Sequence, residues 1–298
     1  MADFIASARA DPELTYLLPG IVPDRGRLLV VAPPNAGKTW LALAIAKAAC
    51  GAGRPVFFIE EEGSRRKLGE RLELMGMPAG ASFQISHLGG LRLDEAPTLK
   101  ALVEKLKDAQ RPMMVLDPLT SLWSGDENET SHANRLRSCL DALANANPSA
   151  LLVVLHHTSK AAANGDGHEI NAARGSSVFG AWADVQLNLS HADGGKDCIA
   201  LSVKVAKNRD GERGQRGSVR IDLDNGEVTL DNSKDAADEL AERILASLRD
   251  APGGLTKNGV ARCVKGKRAT VLDTVDALLS AGRITKVGDG FRLPEVKP

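Results

Sequence analysis

The segment Val30–Trp40, VVAPPNAGKTW, constrains the fold of this chain more than any other stretch. An apolar run, GRLLVVA, leads into it, and an Ala- and Leu-rich segment, TWLALAIAKAAC, leads out. A strand that turns into a helix through G-x-x-x-x-G-K-[ST] places backbone amides around a phosphate. Here the first position is Ala32, followed by Pro33 and Pro34. The first glycine mainly serves the turn, so alanine is tolerable unless that position needs φ > 0. Gly37 allows close backbone approach, Lys38 supplies charge for β/γ-phosphates, and Thr39 offers a hydroxyl to Mg²⁺. The stretch Ala32, Pro33, Pro34, Asn35, Ala36, Gly37, Lys38, Thr39 and Trp40 is therefore the candidate nucleotide-binding segment, and the expected ligands are ATP and Mg²⁺.

The rest of the chain repeats the alternation that this motif requires. VFFIEEE, MMVLD and LLVVLHH are short apolar runs, each ending in acids or histidines, and helical patterns separate them. Strands alternating with helices predict an α/β fold with a mostly parallel sheet. In such sheets, ligands sit outside the carboxyl ends of the strands. VQLNLSH, the run from Asp197 to Asp210 and GSVRIDLDNGEVTLD add antiparallel strands, with turns at Asp193-Gly194-Gly195 and Asn225-Gly226. The Ala- and Gly-rich stretch from Lys160 to Ser177 reads as a loop. The expected organisation is an ATPase domain over 1–230, a polar linker over 231–237 and a small domain over 238–298. Three helical patterns followed by a hairpin around Gly288–Gly290 give that last segment a winged-helix, helix-turn-helix-type plan.

Composition narrows the partners. Formal net charge is +0, from 38 basic and 38 acidic residues, so a nucleic-acid partner must be read from local clusters. Aromatics make up only 3 %, which leaves few platforms for stacking single-stranded bases. Four dispersed cysteines with no C-x-x-C pair argue against zinc and a disulfide framework. Neither a leader pattern nor a membrane-length apolar run is present in the sequence, and the expected setting is cytoplasmic.

The strand ends carry the candidate chemistry. Asp117 closes an apolar strand, where a carboxylate holds Mg²⁺ through water. Three adjacent acids, Glu60, Glu61 and Glu62, repel unless they point apart or face a cation, and one of them is a candidate base for water. Of His156 and His157, one is placed to reach a γ-phosphate. Lys207 and Arg209 lie two apart at a strand end, so both point the same way and can aim at one target. In the tail, Lys257, Arg262, Lys265, Lys267 and Arg268 cluster around the second and third helical patterns, as a duplex-binding surface would.

In order, APPNAGKT, FFIEEEG, MMVLDPLTSLWSGDENE, VVLHHTSK, ARGSSVFGAWADV and VAKNRDG resemble the RepA-like ATPases of the RecA/DnaB superfamily, which are hexameric replicative helicases and related AAA-type ATPases. The resemblance spans roughly residues 15–230 and is carried most specifically by DPLTSLWSGDEN and by HHTSK followed by RGSS. It implies that Lys38 and Thr39 bind phosphate and Mg²⁺, that Asp117 is the Walker B acid, and that Glu62 is the catalytic base with Glu61 in reserve. It also implies a γ-phosphate sensor at His157 and a K-x-R finger pair, Lys207 and Arg209, reaching a neighbouring subunit's nucleotide. Lys160 and Arg174 fall in its central DNA-binding loop. Ala32, the lack of a large amino-terminal collar and the appended tail depart from the pattern. The expected activity is ATP hydrolysis by a homo-oligomeric ring, a hexamer, that translocates on single-stranded DNA. A recombinase-type filament and a non-motor, ATP-switched DNA-binding regulator are the alternatives.

Overall fold

A computed structural model of the 298-residue chain describes residues 15–125, 129–158, 177–192, 196–210, 216–231, 236–251, 253–264 and 268–294. The chain divides into two compact units, Met1–Asp231 and Asn232–Pro298.

The first unit opens with a small antiparallel pair, β1 (Tyr16–Leu18) and β2 (Val22–Pro23). The sheet strands then alternate with helices: β3 (Gly26–Ala32), α1 (Lys38–Gly51), β4 (Val56–Glu60), α2 (Arg65–Leu74), β5 (Phe83–His87), α3 (Ala96–Lys107), β6 (Met113–Asp117), α4 (Thr130–Ala146) and β7 (Leu151–His157). After a six-residue helix, α5 (Ser177–Trp182), come β8 (Val185–Ala192), β9 (Cys198–Asn208), β10 (Arg216–Asp222) and β11 (Val228–Asp231). Their order across the nine-stranded sheet is β11-β10-β9-β8-β3-β7-β6-β4-β5. From β8 to β5 every pairing is parallel, and β9 to β11 add antiparallel strands.

The apolar runs are continuous because the central strands are covered on both faces. Alternate residues of β3 serve different cores: Leu28, Val30 and Ala32 pack with α1, whereas Leu29 and Val31 pack in the core with α3, α4 and α5. β5 is an edge strand, with a mixed pattern of Phe83 buried and Gln84 and Ile85 exposed. That pattern is too polar to register as an apolar run. α5, β1 and β2 are too short to show a periodicity in the sequence.

Register lines up the carboxyl ends that matter. Ala32 pairs with His157, and Glu60 pairs with both Asp117 and His87. The loop, the acids and the histidines thus meet along one rim.

The second unit contains α6 (Ala236–Arg249), β12 (Leu255–Thr256), α7 (Lys257–Cys263), α8 (Arg268–Ser280), β13 (Thr285–Val287) and β14 (Gly290–Arg292). The strands form a three-stranded antiparallel sheet in the order β12-β14-β13. Its core joins Leu240, Ile244, Leu248, Val260, Val271, Val275 and Phe291. The Thr256 hydroxyl caps α7 by accepting from the Gly259 amide at 3.1 Å.

Candidate active site

The loop between β3 and α1 settles the question raised by Ala32. Ala32 is fully buried at the end of β3 and is not among the residues with positive φ. The left-handed positions are Asn35, at φ 61°, and Gly37, at φ 92°. Gly37 is the residue before α1, and no side chain caps the helix there. The first-turn amides and the positive end of the helix dipole are therefore directed to whatever occupies the loop.

A cavity of ≈ 520 Å³ opens over this loop, a size suited to a nucleotide. Lys38, Thr39, Asp117, Glu62 and His157 all line it, together with Pro34, Asn35, Gly37 and Trp40. The Lys38 ammonium bends back over the loop, donating to the Ala32 and Pro33 carbonyls at 3.3 Å, and lies 3.2 Å from His157 Nδ1. Burial pulls its pKa below the ordinary lysine value, opposed by the negative charges of Asp117 and Glu62. The Thr39 hydroxyl donates to Asp117 Oδ2 at 2.8 Å. Asp117 is pushed up to about 6, chiefly by burial; the Thr39 hydrogen bond and Lys38 oppose this, and nearby Glu60 and Glu62 add to it. A buried acid of this kind, paired with a hydroxyl at the phosphate end, fits Mg²⁺ held jointly with a nucleotide. Among the described residues, no cluster of three or more His, Cys, Asp or Glu could hold a metal by itself.

The three acids part company. Glu62 turns to the cavity, its Oε2 3.6 Å from His157 Nε2. Glu61 turns away: its carboxylate accepts from the amides of Gly89 and Gly90 at 3.0 Å and of Leu91 at 3.4 Å. Its oxygens are committed to that loop and its side chain lies outside the cavity lining, which sets it apart from Glu62. Glu60 lies buried at the rim. His157 faces the cavity, whereas His156 is fully buried and meets Phe179 edge-on at 5.3 Å. Alternation along β7 separates the two.

Residues that motif reading passes over also line the cavity. Arg71 and Lys67 reach it from α2, and the Arg71 guanidinium sits 5.1 Å from the Trp40 ring centre. Burial lowers the Arg71 pKa, against the attraction of Asp117 and Glu60. The signal lay in the spacing: Lys67 and Arg71 are four apart and share a helix face. The walls thus carry Lys38, Lys67 and Arg71 beside Glu60, Glu62 and Asp117. Both signs are needed where phosphates, a metal and an attacking water meet.

Lys207 and Arg209 converge, but on their own chain. Lys207 Nζ donates to the carbonyls of Gly180, Ala181 and Ala183 at 2.6 to 3.0 Å, and Arg209 donates to Ala181 O at 2.8 Å. Both cations sit at the carboxyl end of α5, where the helix dipole favours them. Asn208 pairs with Val185, which pairs with Leu28, four residues before Ala32 on β3. At about 3.3 Å per residue, the pair lies roughly 13 Å down the strands from its own chain's loop.

In the second unit, Lys257 is engaged by Asp276 at 2.5 Å and Arg268 donates to Asn258 at 2.7 Å. α8 carries Asp273 and Asp276 as well as Arg268, so its exposed face is mixed rather than basic. Lys160, Arg174, Lys265 and Lys267 lie outside the described residues.

Comparison with known proteins places this geometry. Residues 2–163, more than half of the chain, match the family model of an AAA domain. The fold is similar to a solved ATPase domain, with a TM-score of 0.58 and 17 % identity over 76 % of this chain and 95 % of that one. It is equally similar to a DnaB-like replicative helicase solved for its interactions with primase, with a TM-score of 0.58, 16 % identity and 76 % coverage of this chain. This chain spans 66 % of that helicase's length. At these identities the likeness is one of fold, an α/β core with a large, mostly parallel sheet. Among the described residues, no helix is long and apolar enough to cross a membrane.

Proposed function

The chain belongs to the AAA domain family, and from that premise we propose that it is an ATP-hydrolysing, ring-forming motor that translocates on single-stranded DNA and separates duplex. The observation that carries the reading is the convergence of Lys38, Thr39–Asp117 and Glu62–His157 on one cavity. In the proposed reaction, the loop amides and Lys38 hold the β- and γ-phosphates. Thr39 and Asp117 would hold Mg²⁺, which would neutralise phosphate charge there. Glu62 orients and deprotonates the attacking water, and His157, beside both Glu62 and Lys38, registers the γ-phosphate.

The ring is our reading of Lys207 and Arg209, whose distance from their own loop is consistent with service to a neighbour's nucleotide after release from α5. The second unit, with three helices and a three-stranded sheet, is read as a winged-helix domain that contacts duplex. One of the two similar structures is an ATPase domain and the other a replicative helicase, which supports the same class of work here. Steady-state ATP turnover, measured with and without single-stranded DNA, tests the proposal. Wild type should hydrolyse ATP and be stimulated by DNA, and Lys38→Ala should do neither. No turnover in wild type removes the enzyme reading. Turnover indifferent to DNA leaves the ATP-switched regulator instead.

A further inference from the structure

Glu60 is the one acid of the triplet that neither the proposed reaction nor the Gly89–Leu91 loop engages. It is 4 % exposed and ends β4, level with Asp117 on one side and His87 on the other. His87 Nδ1 donates to Glu60 Oε2 at 2.5 Å. An ionised carboxylate only accepts, so Nδ1 is the donor; the other ring nitrogen is buried and makes no hydrogen bond among the described residues. The second carboxylate oxygen, Oε1, accepts from the amide of Glu62 at 3.3 Å and from that of Gly63. A Cβ on Gly63 would come within 2.6 Å of that oxygen, so a larger residue there would push the Glu60 carboxylate aside. The segment after β5 is tied to the same turn: Leu88 N donates to Glu60 O at 2.9 Å, and the Glu61 carboxylate takes the next three amides. Leu88 itself is held at φ 47°. One carboxylate therefore joins an edge-strand histidine to the peptide that carries Glu62.

We propose that His87 and Glu60 form a buried clasp that sets the position of the Glu62 carboxylate, as positioning residues for the hydrolysis proposed above. The inference rests on that hydrolysis reading. The clasp acts through backbone: His87 fixes the Glu60 carboxylate, Glu60 fixes the Glu62–Gly63 amides, and Glu62 is held facing His157 over the γ-phosphate position. Neither clasp residue needs to touch ATP. Loss of the clasp should therefore slow turnover and leave binding nearly intact, because a small displacement of a base costs rate rather than affinity.

The test uses the full chain with Mg-ATP. Binding is read from Trp40 fluorescence and turnover from phosphate release. His87→Leu removes the donor, whereas His87→Asn keeps an N–H at nearly the Nδ1 position. Expected results are a kcat about 10- to 100-fold lower in His87→Leu with ATP affinity within about twofold, and recovery of most of the rate in His87→Asn. In a Glu62→Gln background, His87→Leu should lower the residual rate no further, since the clasp works only through Glu62. Gly63→Ala breaks the clasp from its other end and carries the same expectation if His87→Leu does not fold. A wild-type kcat in His87→Leu overturns the proposal. So does His87→Asn behaving like His87→Leu, or losses that multiply with Glu62→Gln. A wild type that binds but does not hydrolyse ATP fails at the earlier step, and the clasp falls with the hydrolysis reading.

Discussion

At the scale of single residues, the loop forms without its first glycine because the left-handed turns sit elsewhere. Ala32 is extended and buried, and Asn35 and Gly37 take the positive φ values. Ala32→Gly should therefore lower stability by about 0.5–1 kcal/mol in denaturant unfolding and leave ATP affinity unchanged, as glycine in a strand costs backbone entropy. Asp117 makes a pH prediction. Its folded pKa of about 6 lies above the ordinary 3.8, so the protein binds more protons folded than unfolded between those values. The contribution is fully present below the unfolded pKa and is lost as pH rises through about 6. It amounts to about 3 kcal/mol, at roughly 1.36 kcal/mol per unit. Unfolding of wild type and Asp117→Asn across pH 4 to 7 isolates it: wild type should lose stability relative to the variant as pH rises. The opposite trend, or parallel curves, would contradict the buried-acid account. Mg²⁺ should also bind more weakly to wild type below about pH 6, where a proton competes for the same carboxylate.

At the scale of elements, the legible part of the sequence was the part that is buried on both sides. β3, β4, β6 and β7 announce themselves as apolar runs, the last three ending in acids or histidines. The strand that supplies His87 did not, because β5 lies at the sheet edge and mixes polar and apolar residues. Missing β5 hid the partner of Glu60, and with it the reason that three carboxylates can stand side by side. The triplet reads as self-repelling in sequence; in the fold, Glu60, Glu61 and Glu62 face a histidine, a loop of amides and a cavity. Lys207 and Arg209 were legible as two cations with one target, but not that their target within one chain is the end of α5. Tight contacts also lie beyond sequence reading. Gly226, at φ 68°, turns β10 into β11 against α2, and a Cβ there would stand 1.9 Å from Leu74 O. Gly226→Ala should cost about 2 kcal/mol or more, from left-handed strain plus the clash, read as a lower denaturant midpoint.

At the scale of the whole molecule, two predictions separate the units and the subunits. Residues 1–231 contain the complete cavity and its two cores, so this fragment should fold and bind ATP without the second unit. If the fragment binds no nucleotide, the tail is part of the site. Subunit cooperation is tested by mixing Lys38→Ala with Arg209→Ala, each inactive alone. In mixed oligomers, an intact cavity on one subunit meets an intact Arg209 on its neighbour, so turnover should reappear. Full activity of Arg209→Ala as a dilute monomer would remove the in-trans role. The central claim, that turnover at this cavity moves DNA, is tested most directly by strand release from a forked duplex with ATP and Mg²⁺. Wild type should displace the strand only with hydrolysable ATP, and Lys38→Ala should displace none. ATP turnover by wild type with the duplex left intact would contradict the account.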